Sequence, residues 1–209
     1  MPQAPRDADV GRFGRRAAKY NDSLLQRLLF APVQELLLRE AARVLPHPHS
    51  ILDIGCGTGL LLQRASRRFP AAGLTGIDPA EEMIRVARSS TPDGASLRFV
   101  HGFAEQLPFA GSSFELVFTT MSFHHWADQA KALQEVRRVL APGGVFALAD
   151  GLPAGWLHWL LARGSDGRFN DPATLAAMVR DAGLRPEHLV PMRRFDGVVK
   201  VALARAPRD

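Results

Sequence analysis

The chain has 209 residues, of which 46% are hydrophobic and 22% charged, a composition typical of one ordinary globular domain. Its single cysteine excludes a disulfide framework and a multi-cysteine zinc site. The formal net charge of +5 comes almost entirely from arginine, and no basic block with interleaved aromatic residues accompanies it, so we expect no nucleic-acid partner.

The first part of the chain predicts a tail and two helices. Residues 1–16 are rich in proline, arginine and glycine and lack the apolar core of a secretory signal. No run of 18 uncharged apolar residues occurs, so we expect no membrane span and a cytoplasmic location. We assign residues 1–49 to this tail and to cap helices. Their apolar stripes are Leu24, Leu25, Leu28 and Leu29, then Leu37, Ala41, Val44 and Leu45.

From residue 50 onward, short apolar segments alternate with segments of helical periodicity. The helices are predicted at about residues 59–69, around Ala80–Ala87, around Ala132–Leu140 and at 172–182. This alternation predicts βαβ units, with helices covering both faces of a mainly parallel sheet. The predicted strands are residues 50–54, 73–78, 96–100, 114–120, 144–150, 188–195 and 198–206. The last two flank Asp196-Gly197, and a tight Asp-Gly turn between two strands predicts an antiparallel hairpin.

The segment ILDIGCGTG, residues 51–59, puts three glycines directly behind the first strand. A glycine turn between a strand and a helix exposes backbone N–H groups to a ligand. The spacing Asp53-x-Gly55-x-Gly57-x-Gly59 differs from the G-x-G-x-x-G of nicotinamide-binding folds. Asp53 would repel a pyrophosphate and suits a ligand with an amino group, so adenosine joined to an amino acid fits better than a dinucleotide.

Asp78 ends the second predicted strand, 19 residues after Gly59. Its carboxylate could accept hydrogen bonds from both hydroxyls of a ribose. Asp78 could equally cap the helix that starts at Pro79, and the two roles are compatible.

Four segments in order, ILDIGCGTG, GIDPAEEM, AEQLPFAGSSFELVFTT and EVRRVLAPGG, resemble the successive motifs of class I S-adenosylmethionine-dependent methyltransferases. More narrowly, they are similar to the small-molecule branch (methyltransferase type 11) that includes the ubiquinone and menaquinone biosynthesis enzymes. The resemblance implies a Rossmann-like three-layer αβα sandwich over residues 50–209, with a seven-stranded, mostly parallel sheet. It also implies S-adenosyl-L-methionine as cofactor, a small-molecule acceptor, and a monomer or homodimer.

The resemblance implies a role for each matching residue. Asp53 and Gly55 would hold the methionine amino end of the cofactor, and Asp78 would bind its ribose. Pro79 and Met83 would pack beside the adenine. The remaining residues implied near the cofactor are Cys56, Gly57, Gly59, the Ala104 N–H and Glu105 at the adenine edge, Thr119 and Thr120 at the methionine part, and Tyr20 from the N-terminal region.

Phe103 departs from the family pattern, which usually has an acidic or amide side chain before that alanine. A phenyl ring cannot accept a hydrogen bond from the adenine amino group. It could instead stack on the adenine ring.

Catalytic candidates lie in MSFHHWADQ, residues 121–129, beyond the fourth strand, where ligands of open α/β sheets bind. Methyl transfer mainly requires alignment, and a base is needed only if the acceptor must lose a proton. Histidine titrates near neutral pH, so His124, which we prefer, or His125 could be that base. Asp150 could orient the acceptor or cap the turn at Gly151. Two histidines without a third ligand predict no metal site.

The histidines have a plainer interpretation as residues that pack the loop on the sheet, with Asp128 capping the next helix. Residues 151–164 carry an apolar patch that could pack on the sheet, cover an apolar acceptor or contact a membrane surface. Two other functions stay open, a nicotinamide-dependent oxidoreductase and a cofactor-binding module without turnover. RNA methylation is disfavoured because residues 119–122 read TTMS, without an Asn/Asp-Pro-Pro-Tyr type of tetrad.

Overall fold

The computed structural model describes residues 30–91, 96–152, 170–193 and 198–208. The elements in chain order are α1 (Ala31–Val44), β1 (Ser50–Ile54), α2 (Leu60–Arg68), β2 (Gly73–Asp78), α3 (Glu81–Ser89), β3 (Leu97–His101), β4 (Phe114–Thr120), a 3-10 helix (Phe123–His125), α4 (Gln129–Val139), β5 (Leu140–Gly151), α5 (Pro172–Asp181), β6 (Arg185–Pro191) and β7 (Val199–Arg205).

The strands form one seven-stranded sheet in the order β3-β2-β1-β4-β5-β7-β6. Neighbours from β3 through β5 run parallel, whereas β7 is antiparallel to both β5 and β6. The order reverses direction between β1 and β4, which creates a crevice at the carboxyl ends of these strands. The predicted α/β fold is confirmed, including its antiparallel end.

Two apolar clusters pack on opposite faces of this sheet, because successive strand residues point to opposite sides. Ile51 joins the cluster that contains Leu37 of α1 and Leu62 of α2. Leu52 joins the cluster that contains Leu133 of α4. Each fully buried leucine or isoleucine contributes roughly 1.5–3 kcal/mol to folding, so these two layers hold the strand ends in place.

The structure shifts several predicted boundaries, most clearly the starts of β5 and β6. β5 begins at Leu140, not at residue 144, because Leu140 pairs with Phe114 before a register shift leads to the pairing of Val145 with Leu116. β6 begins at Arg185, ahead of the predicted residue 188.

Three sequence predictions fall outside the described residues. They are the helix around residues 24–29 together with Tyr20, the turn at 196–197, and most of the apolar segment 151–164. Within the described ranges, every helix is too short or too polar to cross a bilayer.

Candidate active site

A cavity opens at the carboxyl ends of β1, β2 and β4, where the sheet order reverses. Its walls come from the start of α1, the glycine turn, the segment after β3 and the loop after β4. The lining residues are Phe30, Gln34, Asp53–Thr58, Leu60, Leu61, Ile77–Ala80, Met83, Gly102–Glu105, Thr120–Ser122, His125 and Trp126.

The glycine turn needs its glycines for different physical reasons. Gly55, Gly57 and Gly59 have positive φ angles of 75°, 53° and 80°, a region that L side chains rarely adopt. A Cβ on Gly55 would come within 1.9 Å of Ser122 Oγ, whereas a Cβ on Gly57 would meet nothing within 4 Å. A Cβ on Gly59 would lie 2.7 Å from the Phe99 ring. Gly57 therefore faces open space, and Gly59 serves helix packing outside the cavity lining.

Asp78 holds this turn through backbone hydrogen bonds. Its Oδ2 accepts from the N–H of Gly57 and its Oδ1 from the N–H of Ala80, both at 2.8 Å. Burial raises the pKa of Asp78, and these two hydrogen bonds act in the opposite direction. The N-cap position of α3 is Ala80, so the carboxylate braces the strand end rather than capping the helix. Each oxygen retains a second lone pair with which it can accept a ligand hydroxyl.

Asp53 lies at the end of β1 with 2% of its surface exposed. Its Oδ1 has no hydrogen-bond partner among the described residues. Desolvation, and then repulsion by Asp78, raise the pKa of Asp53 to about 8. A cationic ligand in the cavity would favour the ionised carboxylate, because an adjacent positive charge opposes both effects.

Two further residues of the cavity wall have a buried oxygen without a hydrogen-bond partner among the described residues. Thr120 Oγ1 and Gln34 Oε1 are buried and accept no hydrogen bond from the part of the chain that the structure describes. Gln34 belongs to none of the sequence motifs, although its position carries a signal. Gln34 precedes Leu37, Leu38 and Ala41 by three, four and seven positions, so it occupies the buried stripe of α1.

The two threonines at the end of β4 separate. Thr120 lines the cavity, whereas Thr119 is fully buried and lies outside the lining. Their separation follows from strand geometry, because adjacent residues point to opposite faces of the sheet.

The segment after β3 forms the opposite wall. Phe103 is 37% exposed, and its ring meets that of His101 edge-on with centroids 6.0 Å apart. Glu105 Oε1 accepts hydrogen bonds from the N–H groups of Ala127 at 2.8 Å and Asp128 at 3.2 Å. The Glu105 carboxylate thus ties this wall to the loop after the 3-10 helix.

His124, which is partly buried, pairs with the buried Asp150. His124 Nδ1 lies 2.7 Å from Asp150 Oδ1, and the His124 backbone N–H donates to Asp150 Oδ2 at 3.2 Å. The Gly151 N–H also donates to Asp150, as the capping interpretation predicted. Because a carboxylate accepts at Nδ1, the ring proton lies there and the lone pair of neutral His124 lies on Nε2.

Of the three catalytic candidates from the sequence, His125 lines the cavity, whereas His124 and Asp150 do not. Its ring lies against the ring of His124, with centroids 4.0 Å apart and a tilt of 44°. Trp126 lines the cavity beside it and donates from Nε1 to Ser122 Oγ at 3.3 Å. The predicted N-cap is observed, since Asp128 Oδ1 accepts from the N–H of Lys131. No group of three potential metal ligands occurs within the described ranges.

Comparison with known proteins identifies related sequences and folds. Residues 52–148 match the model of the methyltransferase domain family. The chain is 37% identical over 139 residues to the malonyl-[acyl-carrier protein] O-methyltransferase of Methylococcus capsulatus, covering 66% of this chain and 49% of that protein. It is 30% identical over 143 residues to the demethylmenaquinone methyltransferase of Thermotoga maritima, covering 68% and 60% respectively.

The fold has close structural neighbours. The crystal structure of an S-adenosylmethionine-dependent methyltransferase from Aquifex aeolicus superposes with a TM-score of 0.73 at 20% identity, covering 92% of this chain and 97% of that one. At that identity the likeness concerns the fold. The chain spans only 49% and 60% of the two sequence relatives named above, so their whole activities do not transfer directly.

Proposed function

We propose that the chain is an S-adenosylmethionine-dependent methyltransferase that transfers a methyl group to a small, apolar or aromatic acceptor, a proposal supported by the match of residues 52–148 to the methyltransferase domain family. The single observation that carries the proposal is the cavity at the strand ends, where buried acceptor oxygens of Asp53 and Thr120 lack partners among the described residues. Leaving such atoms unsatisfied is costly, which favours a ligand that donates hydrogen bonds.

The residues of this cavity fit S-adenosyl-L-methionine, the cofactor of the family. We infer that Asp53, Gly55 and Thr120 hold its amino-acid end and that the Gly57 backbone lies beside it. Asp78 has the spare lone pairs that ribose hydroxyls require. Phe103, Pro79 and Met83 supply apolar surface for the adenine, with Cys56, Ala104 and Glu105 completing the walls.

When bound, the cofactor supplies a methyl group on a positively charged sulfur. A nucleophile can attack the methyl carbon in line, with the sulfur of S-adenosylhomocysteine as the leaving group. The task of the chain is to align the acceptor and exclude water, which together can lower a barrier by roughly 7–11 kcal/mol. His125 and Trp126 are the wall residues suited to an aromatic acceptor, because their rings border the cavity. Aromatic pairs of this kind contribute about 0.5–1.5 kcal/mol beyond area burial.

We propose His124 as the general base, with Asp150 as its positioning residue. Asp150 fixes the tautomer of His124 in which Nδ1 carries the proton, so the basic lone pair lies on Nε2, as in other carboxylate–histidine pairs. The His124 ring lies behind the cavity wall, in contact with the ring of His125, which lines the cavity, so this role requires the hydroxyl or ring carbon to be methylated to approach past His125. A base contributes about 10²–10⁴-fold when the acceptor must lose a proton.

This pair bears on the choice of acceptor. Of the two relatives, one is named for a malonyl group on a carrier protein and the other for demethylmenaquinone. A carboxylate is already ionised at neutral pH and needs no base, whereas a phenolic hydroxyl or an activated ring carbon must lose a proton. The His124–Asp150 pair therefore favours an acceptor of the second kind, in the cytoplasm as expected from the sequence.

The test measures binding and turnover separately. Calorimetry with S-adenosylhomocysteine is expected to give one-to-one binding, and NAD is expected to give none. Labelled cofactor with a panel of phenols, quinols and carboxylic acids is expected to give a labelled phenolic or quinolic product. Absence of binding would overturn the proposal, and binding without any product would favour a module without turnover.

A further inference from the structure

Three residues from three different elements line one cavity, and each has a buried oxygen without a partner among the described residues. Gln34 Oε1 comes from α1, Asp53 Oδ1 from β1 and Thr120 Oγ1 from β4, and none of them accepts a hydrogen bond from the described residues. The sequence motifs account for Asp53 and Thr120. Gln34 belongs to no motif and has no role in the function proposed above.

Gln34 is not placed by packing alone. Only 7% of its surface is exposed, and it shares a helix face with Val33, Leu37 and Leu38, all of them buried. A glutamine in such a stripe buries a polar amide where leucine would stabilise the fold more. Gln34 lines the cavity and its buried oxygen has no partner among the described residues, which favours an amide retained for a ligand.

The charges around the cavity define what that ligand group must be. Asp53, Asp78 and Glu105 are buried carboxylates of the cavity lining, and repulsion by Asp78 contributes to the raised pKa of Asp53. A ligand carboxylate or phosphate near Gln34 would meet this negative potential. A group with several N–H donors and a positive charge satisfies all three oxygens and relieves the repulsion.

We propose that Gln34 is a specificity-determining residue that accepts a hydrogen bond from the ammonium group of the cofactor, together with Asp53 and Thr120. The inference rests on the proposed function, because it assigns one end of the same site. It makes α1, which lies ahead of the family motifs, a direct part of cofactor recognition.

The test pairs one substitution with three ligands. Gln34→Leu removes the oxygen at nearly constant volume, and the ligands are S-adenosylhomocysteine, its analogue without the amino group and its analogue without the carboxylate. We expect Gln34→Leu to weaken the first and third about tenfold, the worth of one hydrogen bond to a charged group, and to leave the second unchanged. Calorimetry on the full chain gives all six affinities.

Two further variants make the result specific. Gln34→Glu keeps an acceptor at this position, so affinity for S-adenosylhomocysteine is expected to survive in it. Gln134→Leu makes the same chemical change on an exposed position of α4 and is expected to alter nothing. Melting temperatures of all variants report whether each chain folds.

The outcomes separate the two proposals. If Gln34→Leu weakens binding of the first two ligands but not of the analogue without the carboxylate, the amide binds the carboxylate and the inference is wrong. Equal weakening of all three ligands would place the effect away from the ammonium group and would also overturn it. Equal affinities in wild type and Gln34→Leu for every ligand would also overturn it, while leaving the proposed function intact. If the wild-type chain binds none of the three ligands, the proposed function itself fails.

Discussion

The two sides of the cavity are built in different ways. On the cofactor side, the Asp78 carboxylate and the Ile77 carbonyl fix the glycine turn through hydrogen bonds to backbone N–H groups. On the proposed acceptor side, Ser122 holds Trp126, and behind that wall Asp150 holds the ring of His124, so side chains position side chains. Substitutions in the first kind of wall are limited by the positive φ angles of its glycines. Substitutions in the second kind can alter the chemistry of the site without altering the fold.

The strongest test of this contrast is to remove the base. His124→Ala is expected to lower kcat by 10²–10⁴-fold, because a general base contributes that much when a proton must leave. Affinity for S-adenosylhomocysteine should stay within about twofold, since His124 lies outside the cavity lining. Steady-state kinetics and calorimetry on the same preparation give both values. Equal losses of binding and turnover would mean that the two sides are not separable.

On the cofactor side, Asp78→Ala is expected to weaken S-adenosylhomocysteine about 100-fold, because it removes a charged acceptor from Gly57 and Ala80 as well as from the ligand. Calorimetry measures the affinity. Asp181→Ala, at the exposed end of α5, is the matched control and should bind normally. An Asp78→Ala chain with wild-type affinity would contradict the proposed ribose contact.

The raised pKa of Asp53, about 8, predicts pH-dependent binding. Below that pH the free protein holds a proton on Asp53, which an ammonium ligand must displace. Affinity should therefore rise with pH by up to about tenfold per unit between pH 6 and 8. Calorimetry in buffers of different ionisation enthalpy should detect about one proton released per ligand bound near pH 6.5. A flat profile, identical to that of Asp53→Asn, would show that Asp53 does not titrate.

The same shift has a consequence for the stability of the ligand-free protein. Because the pKa of Asp53 is higher in the folded than in the unfolded state, its contribution to stability is fully present below about pH 4. That contribution is lost as pH rises through about 8. Denaturant unfolding at several pH values should show this decline in the wild type and a smaller one in Asp53→Asn.

The smallest effect is expected at Gly57. Gly57→Ala meets no steric obstacle, so only its positive φ opposes the change, at a cost of roughly 1–2 kcal/mol. Gly55→Ala should cost more, since its Cβ would collide with Ser122. Thermal unfolding compares the two variants. A larger loss of stability in Gly57→Ala than in Gly55→Ala would contradict this order.

The architecture was predictable from sequence because parallel strands covered on both faces are almost wholly apolar. β1 and β4 read as SILDI and FELVFTT, and both were predicted with their observed bounds. The start of β5 was not, because its pairing passes through an irregularity near Gly143 and Gly144 that no periodicity signals.

The site was predictable where it follows a linear motif and not where it depends on side-chain direction. The glycine turn and Asp78 lie together as expected, since consecutive parallel strands end at the same edge. Thr119 and Thr120 were treated alike, although strand alternation alone separates them. The pairing of His124 with Asp150 joins residues 26 positions apart, which local pattern cannot reveal.

The edge formed by β6 has a consequence for how copies of this chain behave at high concentration. Among the strands that the structure describes, β6 pairs only with β7, and most of its residues are exposed. Pro186 within it has no N–H to offer a neighbouring strand, and the irregularity between Pro186 and His188 bends the local ladder. This edge of the sheet is thus a poor template for pairing with a strand of a second molecule, which should disfavour aggregation through β6 at high concentration.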